Sequence, residues 1–335
     1  MSSPPAGPAL VSGGAGFIGS HLVDALLSRG DRVLALDDLS TGREENVASA
    51  ARDGAELVVG DVTDGGSIER LVEGVRPVTV FHLAAQVDVR RAVREPGFDA
   101  AVNVLGTIAL LEAVRRANGA RFVFASTGGA IYGEGAGREL PLSEADECRP
   151  DSPYGQSKLA AEGYVDYYRR VHGIPAVSLR LGNVYGPRQD PLGEAGVIAI
   201  FCGRIIRDEA PSVYGDGMQT RDYVYVADVV EALLAAEARL SSAAGAAIGP
   251  CNVGTGRETT VLELVERLAR IAGRTDLVPR MEPPRQGEIQ RIALDCERAR
   301  AELGWQAHTD LDDGLERTLA SIREQAIAPS RRRTG

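Results

Sequence analysis

The sequence predicts an α/β protein: a doubly wound parallel sheet followed by a second, smaller α/β lobe. Three observations carry this. Six short β-rich apolar runs, at residues 9–12, 32–37, 55–60, 78–84, 121–125 and 176–181, alternate with amphipathic stretches such as 21–29 and 102–116. A glycine cluster follows the first run directly and opens a helix. Past residue 183 the rhythm breaks into mixed short elements. Strands alternating with helices call for parallel pairing with both sheet faces covered, because each crossover is long enough for a helix and runs right-handed.

The elements follow in order. The run 9–12 meets Gly13-Gly14-Ala15-Gly16-Phe17-Ile18-Gly19, whose glycines fall at GxxGxxG spacing. The run 32–37 ends on Asp37, eighteen residues past Gly19. The run 121–125 leads into Ser126-Thr127-Gly128-Gly129, so a hydroxyl emerges at the carboxyl end of the sheet, where open α/β sheets bind ligands. Turn residues Pro150-Asp151-Ser152-Pro153 precede a helix that begins with Tyr154-Gly155-Gln156-Ser157-Lys158. Beyond 183, helices are expected at 196–207, 226–239, 261–272 and 311–323, and strands at 212–214 and 248–253. The Ala/Gly/Ser-rich stretch 241–249 reads as a surface connection. The division is 9–182 for the first lobe and 183–328 for the second, with some later segments returning to the first.

Composition excludes several classes of function. A chain of 335 residues, 44% hydrophobic and 25% charged, can bury a sizeable core and still hold a cleft between two lobes. Its net charge of −10 would repel nucleic acid and anionic membrane surfaces. The one cationic run, Arg331-Arg332-Arg333, reads as a solvated tail. No stretch approaches the roughly 18–20 uninterrupted apolar residues of a bilayer span, and the first nine residues lack a charged-then-apolar leader. Cys148, Cys202, Cys251 and Cys296 lie 54, 49 and 45 residues apart, with no CxxC pair. Neither a zinc site nor a disulfide framework is expected, and a cytoplasmic location fits.

The glycine cluster points to a dinucleotide. Glycine lets the backbone approach a pyrophosphate, and the helix N-terminus stabilises its charge. Asp37 can accept hydrogen bonds from both adenosine ribose hydroxyls and would repel a 2′-phosphate, which favours NAD over NADP. The spacing of Tyr154 and Lys158 puts a phenol and an ammonium on one helix face. A free tyrosine titrates near about 10, too high for a base at neutral pH; a lysine ammonium and a nicotinamide cation nearby both favour the phenolate. Thr127 can hydrogen-bond the reacting oxygen.

These residues resemble a family: the extended short-chain dehydrogenase/reductases, NAD-dependent epimerases and dehydratases with a Rossmann lobe, and within them nucleotide-sugar 4-epimerases of the UDP-galactose 4-epimerase type. The likeness runs from 10 to 325 through GGAGFIGS (13–20), DDLSTG (37–42), GDV (60–62), HLAAQ (82–86), NVLGT (103–107), STGGAIYG (126–133), YGQSK (154–158), NVYGPRQDP (183–191), RDYVYV (221–226) and NVGTG (252–256). It implies an NAD held by Gly13, Gly16, Phe17, Ile18, Gly19, Asp37, Asp38, Leu39, Ser40, Thr41, Gly42, Asp61, Val62, Leu83, Ala84, Ala85, Gln86, Asn103, Tyr154 and Lys158. Asp38 stands where the family more commonly has Asn. It implies a UDP-sugar substrate gripped by Thr127, Tyr154, Asn183, Val197, Tyr214, Arg221, Arg285 and Glu288, two arginines facing two phosphates. The implied catalytic residues are Tyr154, Lys158 and Thr127, with no metal. The implied assembly is a homodimer packed through helices near 100–116 and 153–170. The implied reaction is inversion at C4 through a 4-keto sugar, with net redox of zero and UDP-glucose and UDP-galactose as the leading pair.

Rival readings differ at named positions. A sugar-nucleotide 4,6-dehydratase carries an Asp-Glu pair after the catalytic Thr, where this chain has Gly128-Gly129; elimination then lacks its proton carriers. A UDP-glucuronate 4-epimerase would want a cation after the PRQ of the 183–191 loop, where this chain has Asp190. The position that gates an N-acetyl pocket aligns with Ile292, which leaves a UDP-N-acetylhexosamine open. A non-catalytic NAD-binding regulator would have lost the tyrosine, whereas Tyr154, Lys158 and Thr127 are all present.

Overall fold

The computed structural model describes residues 7–117, 119–192, 196–242, 248–285 and 287–327. The arginine run 331–333 and part of the 241–249 connection lie outside the described residues. Strands β1 (Ala9–Ser12), β2 (Val33–Asp37), β3 (Glu56–Val59), β4 (Thr79–His82), β5 (Arg121–Thr127) and β6 (Ala176–Leu181) fall at the six apolar runs. Short strands follow: β7 (Asn183–Tyr185), β8 (Ser212–Tyr214), β9 (Thr220–Arg221), β10 (Tyr223–Tyr225) and β11 (Cys251–Val253). The main sheet has seven parallel strands in the order β11-β6-β5-β4-β1-β2-β3. The chain therefore leaves β1 in one direction toward β2 and β3 and returns on the other side with β4. That reversal opens a crevice at the carboxyl ends of β1 and β4, the place where such sheets take ligands.

Side-chain alternation along each strand feeds two cores. Ala9, Val11, Phe81, Val123 and Ala125 pack beneath α1 (Phe17–Ser28) and a later helix, Val226–Leu240. Leu10, Val80, Phe122 and Phe124 pack on the opposite face. That face is covered by three helices, Gly65–Val75, Gly106–Arg116 and Pro153–His172. With every strand of the β1, β2, β4, β5 and β6 set buried on both sides, the runs read as near-continuous apolar stretches. A third core joins Val197–Ile206, Val261–Ile271 and Leu311–Ile327 to β7, β8 and β10 and forms the second lobe. Helix Val226–Leu240 and β11, both past residue 183, pack into the first lobe, and β11 pairs with β6 as the edge of its sheet.

The continuous helical run from Pro96 to Arg116 is, among the described residues, long and apolar enough to cross a membrane, which the run-length reading of the sequence did not anticipate. Its polar residues explain its place here. Asp99, Asn103 and Thr107 are all buried and hydrogen-bonded within the protein. Between Ala101 and Leu105 the run widens into one π-turn, a feature common next to functional sites.

A polar chain braces the first lobe, tying the helix Pro153–His172 through β6 to its edge strand β11. Arg180 of β6, 6% exposed, holds both oxygens of Glu162 at 2.9–3.2 Å and donates to the Tyr132 hydroxyl at 2.8 Å; Tyr132 in turn donates to Asn252 of β11 at 2.8 Å. A buried guanidinium stripped of its carboxylate is costly. Glu162→Ala is expected to lower the unfolding free energy by about 3–5 kcal/mol, measured as a reduced midpoint in urea.

Candidate functional site

The crevice is lined first by the glycine loop between β1 and α1. Gly13 takes a φ of +71°, and a side chain there would meet Ala84 N at 2.7 Å. A Cβ on Gly19 would lie 2.0 Å from the Gly13 carbonyl oxygen. The loop is thus a cradle that only hydrogen can line, and α1 begins behind it with no capping side chain and no acidic residue in its first turn. Its leading N–H groups are left for an anion. Asp37 closes the end of β2: Oδ2 accepts from Ala15 N at 2.9 Å and Oδ1 from Leu39 N at 2.9 Å. Burial raises its pKa against these bonds. Each oxygen keeps a lone pair for a ribose hydroxyl. Asp38 turns the other way and accepts from the backbone and hydroxyl of Ser40 at 2.9 and 2.7 Å.

The remaining residues expected around a dinucleotide take different places. Leu83 donates its N–H to Ser12 O at 3.0 Å and Ala84 and Ala85 are half-buried beside it, at the rim of the switch point. Asp61 is exposed and accepts from Thr63 N, while Val62 is buried against the opposite face of the sheet. Gln86 and Asn103 are turned inward: Asn103 Oδ1 accepts from Gln86 N at 2.9 Å, and its amide donates to Gln86 O and to Ser157 Oγ, both at 3.0 Å.

Phe17 and Ile18 open onto a cavity of about 1100 Å³. Thr127, Tyr154, Asn183, Val197, Tyr214, Arg221, Arg285 and Glu288 line the same cavity, so residues spread over 270 positions meet in one volume. Their supports are local. Ser152 caps the helix Pro153–His172 by accepting from Gly155 N at 3.1 Å, with Pro153 at its first position. Lys158, one turn on from Tyr154, lies behind the cavity wall, 2% exposed, and donates to the Ala125 carbonyl at 2.8 Å. Burial pulls the lysine down to about 8, with Asp99 and Glu162 drawing it back up. Burial pushes the Tyr154 phenol up to about 12, against its hydrogen bond with Thr127. Burial and the Asp99 charge thus keep Tyr154 a phenol, with Thr127 the one group drawing it down; a nicotinamide cation beside it would favour the phenolate.

In the second lobe Arg285 stacks on Tyr214, 3.6 Å from the ring centroid, and Arg221 sits 3.5 Å from Glu288. Arg221 is held from behind by its neighbour Asp222, which is 1% exposed and accepts four hydrogen bonds, from Thr255 N and Oγ1, Gly256 N and Leu294 N. This explains why RDY and NVGTG occur together in one sequence. Two expectations are corrected. Asp190 does not face the cavity: it pairs with Arg43 at 2.9 Å on the surface, so it cannot discriminate against a sugar carboxylate. Ile292 is 1% exposed and packs with Ile131, Tyr132, Leu142 and Leu294, so it does not line the cavity as an N-acetyl gate.

Cavity residues that sequence reasoning passed over include Ser126, Gln189, Arg204 and Tyr223. Ser126 Oγ, Gln189 Oε1 and Tyr223 OH are buried and without a hydrogen-bond partner among the described residues, the state expected of groups that meet a ligand. Ser126 adjoins Thr127 and could have been read from the strand end; the others come from long-range packing. The glycine cradle and these orphaned atoms fit a dinucleotide and a polar substrate end to end. Among the described residues the one grouping close enough for a metal is Asp228, Glu231 and His308. Asp228 there already accepts from Thr309 N and Oγ1, outside the cavity.

Residues 10–318 match the family described as GDP-mannose 4,6 dehydratase. The chain is 44% identical to UDP-glucose 4-epimerase of Mycolicibacterium smegmatis, over 95% of this chain and 99% of that one. The crystal structure of the Thermotoga maritima UDP-glucose 4-epimerase with UDP-glucose superposes with a TM-score of 0.89 at 43% identity, covering 95% of this chain and 99% of that one. That of the Thermus thermophilus UDP-glucose 4-epimerase with NAD gives 0.85 at 42% identity, covering 94% and 99%. Gly19→Ala, whose added methyl has no room beside Gly13, is expected to weaken NAD binding at least tenfold, about 1.4 kcal/mol or more, by calorimetric titration.

Proposed function

The chain belongs to the GDP-mannose 4,6 dehydratase family of NAD-dependent epimerases and dehydratases, and from that membership we propose that it inverts C4 of a nucleotide sugar, interconverting UDP-glucose and UDP-galactose. The observation that carries this is the meeting of Thr127 and Tyr154 on the cavity wall, with Lys158 behind them, next to a strand end that offers no carboxylate. Gly128 and Gly129 stand where a dehydratase needs its acid and base. A Cβ on Gly128 would lie 2.5 Å from the Leu294 side chain, and one on Gly129 3.2 Å from Asn183 Oδ1.

NAD, when bound, supplies the reversible hydride acceptor that lets the C4 alcohol become a ketone and return with the opposite configuration. The rest belongs to this chain. Thr127 orients O4 by hydrogen bonding, and Tyr154 removes its proton and later returns one. Lys158 supports the phenolate by its charge, from a position fixed by the Ala125 carbonyl. Arg221 and Arg285 hold the diphosphate, and Tyr214 backs Arg285. Binding energy is thus concentrated away from the hexose, which must turn in the cavity to present its other face.

The reading includes a homodimer in the cytoplasm. Phe98 and Leu105 on one helix and Tyr164, Tyr167 and Val171 on its neighbour leave 41–60% of their surface exposed, an apolar strip on the two helices expected to pair. All four cysteines are free thiols, as suits a reducing compartment.

Purified protein supplied with UDP-glucose should yield UDP-galactose, and Tyr154→Phe should lower kcat by about 10²–10⁴. No product from the parent, or an unimpaired Phe variant, overturns the assignment. Gel filtration should give an elution volume for twice the 35.4 kDa of one chain; elution as a single chain removes the dimer.

A further inference from the structure

Lys158 is the one lysine in the chain; the other 36 of its 37 basic side chains are arginines. Its ammonium is enclosed by the Ala125 carbonyl at 2.8 Å and the Phe124 ring, 4.6 Å to the centroid. Two carboxylates act on it through space, Asp99 and Glu162. Glu162 is committed to Arg180, which holds both its oxygens. Asp99 has no such partner. It is 1% exposed, and its Oδ1 accepts from two neutral amides, Gln86 Nε2 at 2.9 Å and Asn103 Nδ2 at 3.2 Å. Its Oδ2 is buried with no hydrogen-bond partner among the described residues. The same Asn103 amide reaches Ser157 Oγ at 3.0 Å, next to Lys158 in sequence.

We propose that Asp99 is a positioning residue for the reaction, the buried counter-charge that keeps Lys158 an ammonium, and that its bond through Asn103 to Ser157 holds the helical turn bearing that lysine. An unpaired buried carboxylate is costly to keep, and a nearby cation is what offsets it. The other charged or titratable groups facing this pocket do not serve. His82 of β4 is neutral at working pH, because burial and then the lysine's charge drive its pKa to about 3. Tyr154 is on the cavity side. On the preceding helix, Val89–Arg94, Arg91 stacks on Phe98 and pairs with the exposed Glu95, and Arg90 and Arg94 are exposed. A nicotinamide cation beside Lys158 would lower its proton affinity further, so the counter-charge matters most with cofactor bound.

The inference rests on the epimerase reading for its catalytic meaning but not for its test. Protein grown on ¹³C,¹⁵N-lysine carries a single labelled side chain, so one resonance reports the ionisation of Lys158. In the wild-type protein it should titrate no higher than about pH 8, and in Asp99→Asn about one unit lower under the same conditions. Asn keeps the Oδ1 acceptor and removes the charge, with an NH2 group in place of Oδ2; should it not fold, Asp99→Ser carries the same comparison. Ser157→Ala, which loosens the turn but keeps the charge, should leave the titration in place. Because Asp99 also opposes phenolate formation at Tyr154, both limbs of the kcat/KM–pH profile should move to lower pH in Asp99→Asn, with activity at pH 6 at or above the wild-type level and down about tenfold at pH 8.5. Identical lysine titrations in the wild-type and neutral variants overturn the proposal while leaving C4 inversion untouched. A shifted titration in a protein that never inverts C4 sinks the epimerase reading and leaves the counter-charge standing.

Discussion

The hydrogen bond from Lys158 Nζ to the Ala125 carbonyl, 2.8 Å long and buried, ties the helix that bears Tyr154 to the strand that delivers Thr127. Phenol and hydroxyl meet because that bond sets the helix against the end of β5. An arginine could not replace the lysine: its guanidinium is planar, larger, and keeps its proton under all working conditions. At every other Lys/Arg position the chain uses arginine, in surface pairs and in the buried partner of Glu162. It keeps a compact ammonium only where a positive charge must fit between a carbonyl and a ring, at an affinity burial can tune.

Holding one charge in that position requires the surroundings to be fixed before any ligand arrives. The bridge Glu162–Arg180–Tyr132–Asn252 runs from the helix that bears Tyr154 and Lys158 through β6 to β11, so the edge strand formed late in the chain braces the helix formed earlier. Asp222 does the same for the substrate side, gathering four donors behind Arg221. Both clusters satisfy every charge they bury, which is what makes them rigid rather than destabilising.

Much of this was legible in the sequence where the cause is local. The glycine loop follows from backbone crowding around Gly13 and Gly19, and Tyr154 and Lys158 follow from helical spacing behind the Ser152-Pro153 cap. The sheet was legible because strands buried on both faces read as apolar runs. Side-chain direction in loops was not. Asp190 and Ile292 sit at the expected positions of the chain, yet Arg43 draws one outward and the Leu142–Leu294 cluster draws the other into the core. Asp99 gave no signal either: its role exists only because a π-turn and two amides from distant segments converge on it.

The outward turn of Asp190 also changes what the 183–191 loop is for. Arg43–Asp190 at 2.9 Å, Arg188–Asp24 at 2.7 Å and the His21 Nε2 contact with Pro187 O at 2.9 Å fasten this second-lobe segment to α1 and to the loop after β2. Those are the two elements whose glycine loop and Asp37 fit a pyrophosphate and an adenosine ribose. A single exposed pair contributes only about 0–1 kcal/mol, but three contacts on one short loop act together, since none can open without straining the others. Gln189 of the same loop lines the cavity while Asp190 does not, so one short segment both fastens the second lobe to the first and contributes to the cavity wall.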